Sequence, residues 1–155
     1  MRVLIDACVL YPTVMREVVL GVAQTGLFEA RWSTRILEEW ALAARKIGPE
    51  GEVIARGEIS LLSSRFADAV IPVHPGLEGR LWLPDPADVH VLAAAIAGSC
   101  DMILTMNAKD FPRNILEEEG LSRCDPDGFL RDLLMDHPDL VRPVADSVLA
   151  EARRL

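Results

Sequence analysis

The chain opens with MRVLID, residues 1–6, and this short stretch decides how the rest of the sequence is understood. Its apolar run, Val3 to Ile5, stops at an ionisable residue, Asp6. A short run of this kind is typical of a buried strand in a parallel sheet. Ligands bind beyond the carboxyl ends of such strands, so Asp6 stands where a functional group is expected. An acid that only caps a turn or a helix would occupy the same place.

Further apolar or β-branched runs follow along the chain: Glu29 to Ser33, Ala69 to Val73, Met102 to Thr105 and Leu121 to Cys124. Segments with helical periodicity lie between these runs, at residues 12–26, 33–47, 53–66 and 86–97. Strands that alternate with helices predict a parallel sheet with helices on both faces. From Phe129 onward the pattern is helical again, which predicts appended C-terminal helices.

Length and composition predict one globular domain. The chain has 155 residues, 50% of them hydrophobic and 26% charged. We expect a single domain over residues 1–155, with a core at about 1–129 and appended helices at 130–155. No apolar run approaches the roughly 18 residues of a membrane span, and the N-terminus lacks the pattern of a secretory signal. The expectation is a cytoplasmic protein without a membrane segment.

The charge of the chain restricts how it can bind a polyanion. The formal net charge is −8, whereas domains that hold nucleic acid by bulk positive potential are usually basic. A nucleic-acid substrate would therefore need a cation to bridge it to the protein. The three cysteines, Cys8, Cys100 and Cys124, lack the paired spacing of a zinc site, and we expect reduced thiols.

Two more acids stand at informative positions in helical segments. In STRILEEW (33–40), Glu39 falls on the flank of the apolar stripe, where its side chain can lean into a cleft beside the sheet. In LPDPADVHVLAAAIAG (83–98), Asp85 suits a helix N-cap and Asp88 heads an apolar helix. Glu39 also fits an ordinary boundary residue, and Asp88 also fits the second half of a cap.

Asn107 and Asp110 follow the run Met102 to Thr105 and lie in the segment MILTMNAKDFP, residues 102–112. Such residues often form turns, but here they lie past the carboxyl end of a predicted strand, at the same edge as Asp6. Acids gathered at one edge repel one another unless a cation neutralises them. Oxygen ligands of this kind favour Mg²⁺ or Mn²⁺.

No histidine and cysteine cluster competes with these acids as a metal site. The histidines, His74, His90 and His137, are isolated in the sequence. We expect each to be a surface residue or a structural residue whose polar atoms are satisfied.

Several blocks together resemble the PIN-domain nucleases, the fold used by VapC-type toxins of bacterial toxin-antitoxin pairs. The blocks are VLIDACVLY (3–11), WSTRILEEW (32–40), LPDPADVHVLAAAIAGSCDMILTMNAKDFP (83–112) and DPDGFL (125–130). The resemblance runs from about Met1 to Phe129. It implies a three-layer α/β/α sandwich with a five-stranded parallel sheet, and a metal-dependent endoribonuclease site.

The resemblance also implies roles for individual residues. Asp6, Glu39 and Asp88 match the acids of the family that hold Mg²⁺ or Mn²⁺. Where many members have a fourth aspartate this chain has Asn107, and Asp110 is the alternative source of that charge. Expected substrate contacts on RNA are Thr105, Lys109 and Arg113. The implied partners are a second copy of the chain, in a homodimer, and a small antitoxin protein.

Two other functions remain open at this stage. Aspartyl-phosphate enzymes and receiver domains also place an aspartate after the first strand, but the phosphatases among them need a second aspartate where this chain has Cys8. A PIN-like domain that binds RNA or protein without catalysis would tolerate Asn107 in place of an acid.

Overall fold

The computed structural model describes residues 1–72 and 74–154. Across these residues the sheet is parallel throughout and has the strand order β2-β1-β3-β4. Its strands are β1 (Arg2–Ile5), β2 (Glu29–Arg31), β3 (Met102–Leu104) and β4 (Ser122–Cys124). The α/β class and the parallel sheet expected from the alternating pattern are confirmed.

The helices connect the strands and continue after the last one. They are α1 (Ala7–Leu10), α2 (Thr13–Gln24), α3 (Thr34–Ala43), α4 (Gly51–Arg65), α5 (Val89–Ala97), α6 (Arg113–Glu118), α7 (Pro126–Asp136) and α8 (Pro138–Arg154). Within the described ranges, none of them combines the length and the apolar character that a bilayer crossing requires.

The first strand is central because it is apolar on both faces. Val3, Leu4 and Ile5 are fully buried, and the strand pairs with β2 on one side and β3 on the other. Leu4 pairs with Arg31 of β2 and with Ile103 of β3. The carboxyl ends of β1 and β3 therefore meet at one edge, where Asp6 and Thr105 follow the last paired residues.

The prediction of a five-stranded sheet is wrong, because the described part of the sheet has four strands. The expected strand Ala69 to Val73 forms one isolated bridge, between Val70 and Trp32. Trp32 N–H donates to the Ala69 carbonyl at 3.0 Å, and Ile71 N–H donates to the Trp32 carbonyl at 2.9 Å. Pairing ends there because the neighbouring segment leaves the sheet after Trp32 and begins α3. Val73 lies outside the described residues.

The C-terminal helices pack on the rest of the fold. Phe129 of α7 meets Phe28 edge to face, with ring centroids 5.0 Å apart. Val141 of α8 is buried, and Val144 lies against Gly21 of α2. A β-carbon at Gly21 would come within 2.6 Å of Val144 Cγ1, so the missing side chain lets α8 approach α2 closely.

Candidate active site

Asp6 follows β1, and both of its carboxylate oxygens accept hydrogen bonds. Oδ1 accepts from Ala7 N–H at 2.8 Å, which makes Asp6 the N-cap of α1. Oδ2 accepts from the Thr105 hydroxyl at 2.9 Å, just beyond the end of β3. The cap that the sequence offered as an alternative is present, but it uses only one oxygen. The second oxygen links the two central strands at their carboxyl ends.

Asp6 is only 7% exposed, and this burial controls its protonation. Burial raises the pKa of Asp6, hydrogen bonds from Thr105, Ala7 and Cys8 lower it, and the charge of Glu39 raises it, with a net upward shift. Loss of hydration disfavours the charged form, and a nearby cation would favour it again. The position therefore suits a carboxylate that binds a positive ion.

Asp85 and Asp88 have different roles at the start of α5. Asp85 caps a single 3-10 turn, Pro86–Asp88, by accepting a hydrogen bond from Ala87 N–H at 2.9 Å. The α-helix itself begins at Val89, and the Asp88 side chain makes no capping hydrogen bond. Capping thus falls to Asp85, and the carboxylate of Asp88 remains available for another function.

The pKa of Asp88 reflects the acids that lie near its carboxyl group. Its pKa is raised to about 6, first by burial and then by the charges of Asp6, Asp85, Asp110 and Glu39. These acids come from the end of β1, from α3, from the turn before α5 and from the loop after β3. Folding brings them to one edge of the sheet, where they repel one another.

Two neighbouring glutamates of α3 point to different partners. The Glu38 carboxylate accepts two hydrogen bonds from Arg56 of α4, at 2.7 and 2.9 Å. The Glu39 carboxylate pairs with Nε2 of His90, a buried residue of α5. Glu39 therefore leans towards α5 and the acidic edge, while Glu38 is held on the α4 side.

The loop after β3 offers both candidates for the fourth position. Asn107 is exposed, and its backbone N–H donates to Thr105 Oγ1 at 3.1 Å. Asp110 ends the 3-10 turn Ala108–Asp110, is half-buried, and contributes to the raised pKa of Asp88. Of the two residues, Asp110 adds negative charge to the cluster.

Thr105 and Cys8 surround Asp6 and orient it. Thr105 is fully buried and its hydroxyl donates a hydrogen bond to Asp6 Oδ2, which positions that carboxylate, while the expected contact of Thr105 with substrate stays a prediction. Cys8 Sγ lies 3.6 Å from Asp6 Oδ2 and accepts a hydrogen bond from Met106 N–H at 3.3 Å. Burial and the charge of Asp6 raise the pKa of the Cys8 thiol to about 11. The thiol stays protonated and is not a nucleophile.

The two basic residues expected to meet substrate lie in different places. Lys109 is exposed in the 3-10 turn beside Asp110. Arg113 begins α6 and lines a groove with Leu121 and Ser122, at the amino end of β4. Lys109 therefore lies in the same loop as a site acid, whereas Arg113 lies towards the β4 side of the sheet.

The acids at this edge suit a divalent cation by their chemistry, although they do not form an assembled group of three ligands. Among residues 1–72 and 74–154, no group of three or more His, Cys, Asp or Glu side chains is placed so that it could hold a metal ion. Mg²⁺ does not need three protein ligands, since it usually keeps several waters and takes one or two carboxylates plus substrate phosphate. Partly buried carboxylates whose pKa values are raised by mutual repulsion supply that charge and those oxygens.

Sequence patterns did not identify two residues of this site. His90 was expected to be a surface residue or a satisfied structural one, but it is buried, contacts Glu39, and leaves its Nδ1 without a partner in the described structure. Cys8 was expected only to be a reduced thiol, and it contacts Asp6. The spacing of Cys8, two residues after Asp6, is the one signal that pointed to this contact.

Comparisons with known proteins identify the family and the fold of the chain. A family profile described as PIN domain matches residues 2–109. A chain in the 2.2 Å structure of VapBC-1 from nontypeable Haemophilus influenzae is similar in fold, with a TM-score of 0.54 and 16% identity over 82% of this chain and 99% of that chain. No curated protein matches the sequence. Because the PIN profile covers well over half of the residues, the chain belongs to the PIN-domain family.

Proposed function

We propose that this protein is an endoribonuclease that uses Mg²⁺ or Mn²⁺ to hydrolyse RNA phosphodiester bonds. PIN domains are generally nucleases, and the acids at the carboxyl edge of the sheet support the same chemistry for this chain. The observation that carries the proposal is that acids from the end of β1, from α3 and from the loop after β3 lie near Asp88 at the carboxyl edge of the sheet, where burial and their charges raise the pKa of Asp88 to about 6. A site that gathers negative charge in this way is suited to a divalent cation.

The residues divide into ligands and the groups that orient them. Asp6, Glu39 and Asp88 are the proposed ligands, with Asp110 as the fourth acid and Asn107 as a weaker oxygen donor. Thr105 fixes the Asp6 carboxylate through a 2.9 Å hydrogen bond. Lys109, exposed beside Asp110, is placed to meet a phosphate of the RNA. When bound, the ion supplies charge neutralisation at the phosphodiester and lowers the pKa of a water.

The partners are part of the same proposal. The similar solved structure is named VapBC-1. We propose that this chain is the toxin of a toxin-antitoxin pair, acts as a homodimer in the cytoplasm, and is inhibited by a small antitoxin. The net charge of −8 favours an antitoxin segment that brings basic residues to the acidic edge. A growth arrest on expression that the D88N variant abolishes would support the toxin role, and equal arrest by both would contradict it.

Cleavage of single-stranded RNA by the purified protein tests the activity. We expect cleavage with Mn²⁺ or Mg²⁺, loss of it with EDTA, and a rate at least about 100-fold lower for D6N and D88N. D85N is the matched control: Asn caps a helix about as well as Asp, so we expect its rate to stay within about threefold of the wild type. If D6N and D88N cleave RNA as fast as the wild type, the proposed site is wrong.

The two rival functions give different results in simple experiments. An aspartyl-phosphate enzyme would form a beryllofluoride adduct on Asp6, and the phosphatases of this class need a second aspartate where this chain has Cys8. A non-catalytic PIN-like module would show no change in melting temperature with Mn²⁺. We expect no adduct and a melting temperature that rises with Mn²⁺, because an ion that binds only the folded state stabilises it.

A further inference from the structure

His90 is an unusual residue for its position in α5. The helix (Val89–Ala97) is otherwise apolar, and His90 is only 6% exposed. Its Nε2 pairs with the Glu39 carboxylate, and its Nδ1 has no hydrogen-bond partner in the structure as described. A buried ring nitrogen without a partner costs stability, and buried polar groups are rarely left in this state.

An aliphatic side chain would fill the same place without that cost. The next two residues of the helix, Val91 and Leu92, are buried aliphatic side chains. What a leucine at position 90 would lack is the contact with Glu39. The unpaired Nδ1 of His90 costs free energy, and a functional contact between His90 and Glu39 would explain why a histidine stands here.

Glu39 needs an anchor, because nothing else in the described structure pairs with its carboxylate. Its side chain is 46% exposed, and its one ion-pair partner there is His90. A glutamate side chain that is half exposed has many rotamers, and ordering it costs entropy. The adjacent Glu38 points away from the acidic edge, because Arg56 of α4 binds its carboxylate.

We propose that His90 is a positioning residue that acts through Glu39. Its Nε2–H donates to the Glu39 carboxylate and holds it towards Asp6 and Asp88, so that the cation meets a preorganised ligand. This inference rests on the proposed function, because it takes Glu39 as a ligand of the ion. Groups that orient metal ligands in this way typically change metal affinity by about 10–100-fold when they are removed.

The geometry of the donor provides matched variants. The amide nitrogen of glutamine reaches about as far as histidine Nε2, whereas that of asparagine corresponds to Nδ1 and stops short of Glu39. H90Q therefore keeps a donor at the required distance. H90N keeps a polar amide but misplaces it, and H90L keeps the volume without a donor.

Direct measurement of Mn²⁺ affinity, from the electron paramagnetic resonance signal of the free ion, tests the proposal without reference to cleavage. We expect H90L and H90N to bind Mn²⁺ about 10–100-fold more weakly than the wild type and H90Q to stay within about threefold. We also expect H90L to melt at or above the wild-type temperature, because it removes the unpaired nitrogen. A residue with a purely structural role would lower stability and affinity together.

A double-mutant cycle with E39A shows whether His90 acts through Glu39. We expect H90L to have no further effect on Mn²⁺ affinity once Glu39 is removed, so that the double variant binds like E39A. If H90L and H90N bind Mn²⁺ as tightly as the wild type, or if the two effects simply add, His90 does not position Glu39 and the proposed nuclease site still stands. Absence of Mn²⁺ binding by the wild type would instead overturn the proposed function and this inference with it.

Discussion

At the scale of single residues, the acids of the site destabilise the protein that carries them. The pKa of Asp88 is raised to about 6 from the ordinary value of 3.8, by burial and by neighbouring acids. The folded chain therefore binds a proton more tightly than the unfolded chain does. This contribution to stability is fully present below about pH 4 and is lost as the pH rises through 6.

The D88N variant tests whether the ionised form of Asp88 destabilises the fold. At pH 8 it removes a charge that the fold disfavours, so we expect a melting temperature about 2–4 °C above the wild type without divalent ions, which corresponds to about 1 kcal/mol after allowance for solvent screening. At about pH 3.5 the Asp88 carboxyl is protonated in the folded chain and mostly protonated in the unfolded chain, so we expect little difference between D88N and the wild type there. Thermal unfolding at both pH values measures the difference, and a stabilisation by D88N that is equal at about pH 3.5 and at pH 8 would show that the charge of Asp88 is not its cause.

The Thr105 hydroxyl provides a second test at this scale. Its hydrogen bond lowers the pKa of Asp6, so its removal in T105V lets the carboxyl bind a proton at higher pH. We expect the midpoint of Mn²⁺ binding as a function of pH to move upward in T105V and to stay in place in T105S, which keeps a hydroxyl. A midpoint that T105V leaves unchanged would show that Thr105 does not control Asp6.

The sequence predicted where the acids lie in the fold better than it predicted which side chains contact them. Asp6 and Asp110 follow strands, so the topology of a parallel sheet alone brings them to one edge. The partner of His90 is on another helix, and nothing in the periodicity of α5 indicates which residue of α3 it meets. Contacts between side chains of separate helices depend on packing angles that local patterns do not contain.

At the scale of elements, the side chain of Arg16 in α2 contacts three other helices near the site. It is 3% exposed, and its guanidinium donates to the Leu10 and Tyr11 carbonyls at 2.7 and 3.2 Å and to Glu58 of α4 at 2.7 Å. The guanidinium carbon also lies over the ring of Trp40, 4.6 Å from the ring centroid. Trp40 is the residue of α3 that follows Glu39. One side chain thus joins α1, α2, α3 and α4.

We expect R16M to lower the free energy of unfolding by about 3 kcal/mol, because it removes a buried guanidinium and leaves the Leu10 and Tyr11 carbonyls without their donor. Arg56 is the control, since it also pairs with two glutamates but is exposed. R56M should lower the free energy of unfolding much less than R16M, because solvent screens exposed ion pairs. Urea unfolding of both variants measures the difference, and equal losses would show that burial of Arg16 is not what matters.

The missing fifth strand shows where prediction from composition ends. Residues 69–73 have a strand-like pattern, and Val70 does bridge to Trp32. A strand also needs a partner of its own length. The segment beside residues 69–73 leaves the sheet at Ser33, which is the N-cap of α3. The bounds of a strand are set by its neighbour, which the local sequence does not specify.

At the scale of the whole molecule, the helices beyond residue 109 lie outside the matched family region but pack against it. We propose that they belong to the same domain, because α8 packs on α2 through Gly21 and Val144 and buries Val141. We expect G21A to lower stability by about 1–3 kcal/mol, since its new methyl group meets Val144 Cγ1.

V144A removes the atom in conflict and gives a control for G21A. The double variant G21A/V144A should therefore be more stable than the sum of the single effects predicts, with a coupling of about 1 kcal/mol. Chemical denaturation of the four proteins measures that coupling. Simple additivity would mean that α8 does not pack on α2 at this point.

We propose that Asp6, Glu39 and Asp88 gather at one edge of the sheet because together they hold a divalent cation. The sharpest test is the anomalous difference density of a crystal soaked in Mn²⁺. We expect a peak with carboxylate oxygens of Asp6 and Asp88 at about 2.0–2.2 Å, and with the Glu39 carboxylate, held by His90, pointing towards the ion. A crystal in which Mn²⁺ binds elsewhere, while these three acids remain free of it, would show that they do not form a cation site.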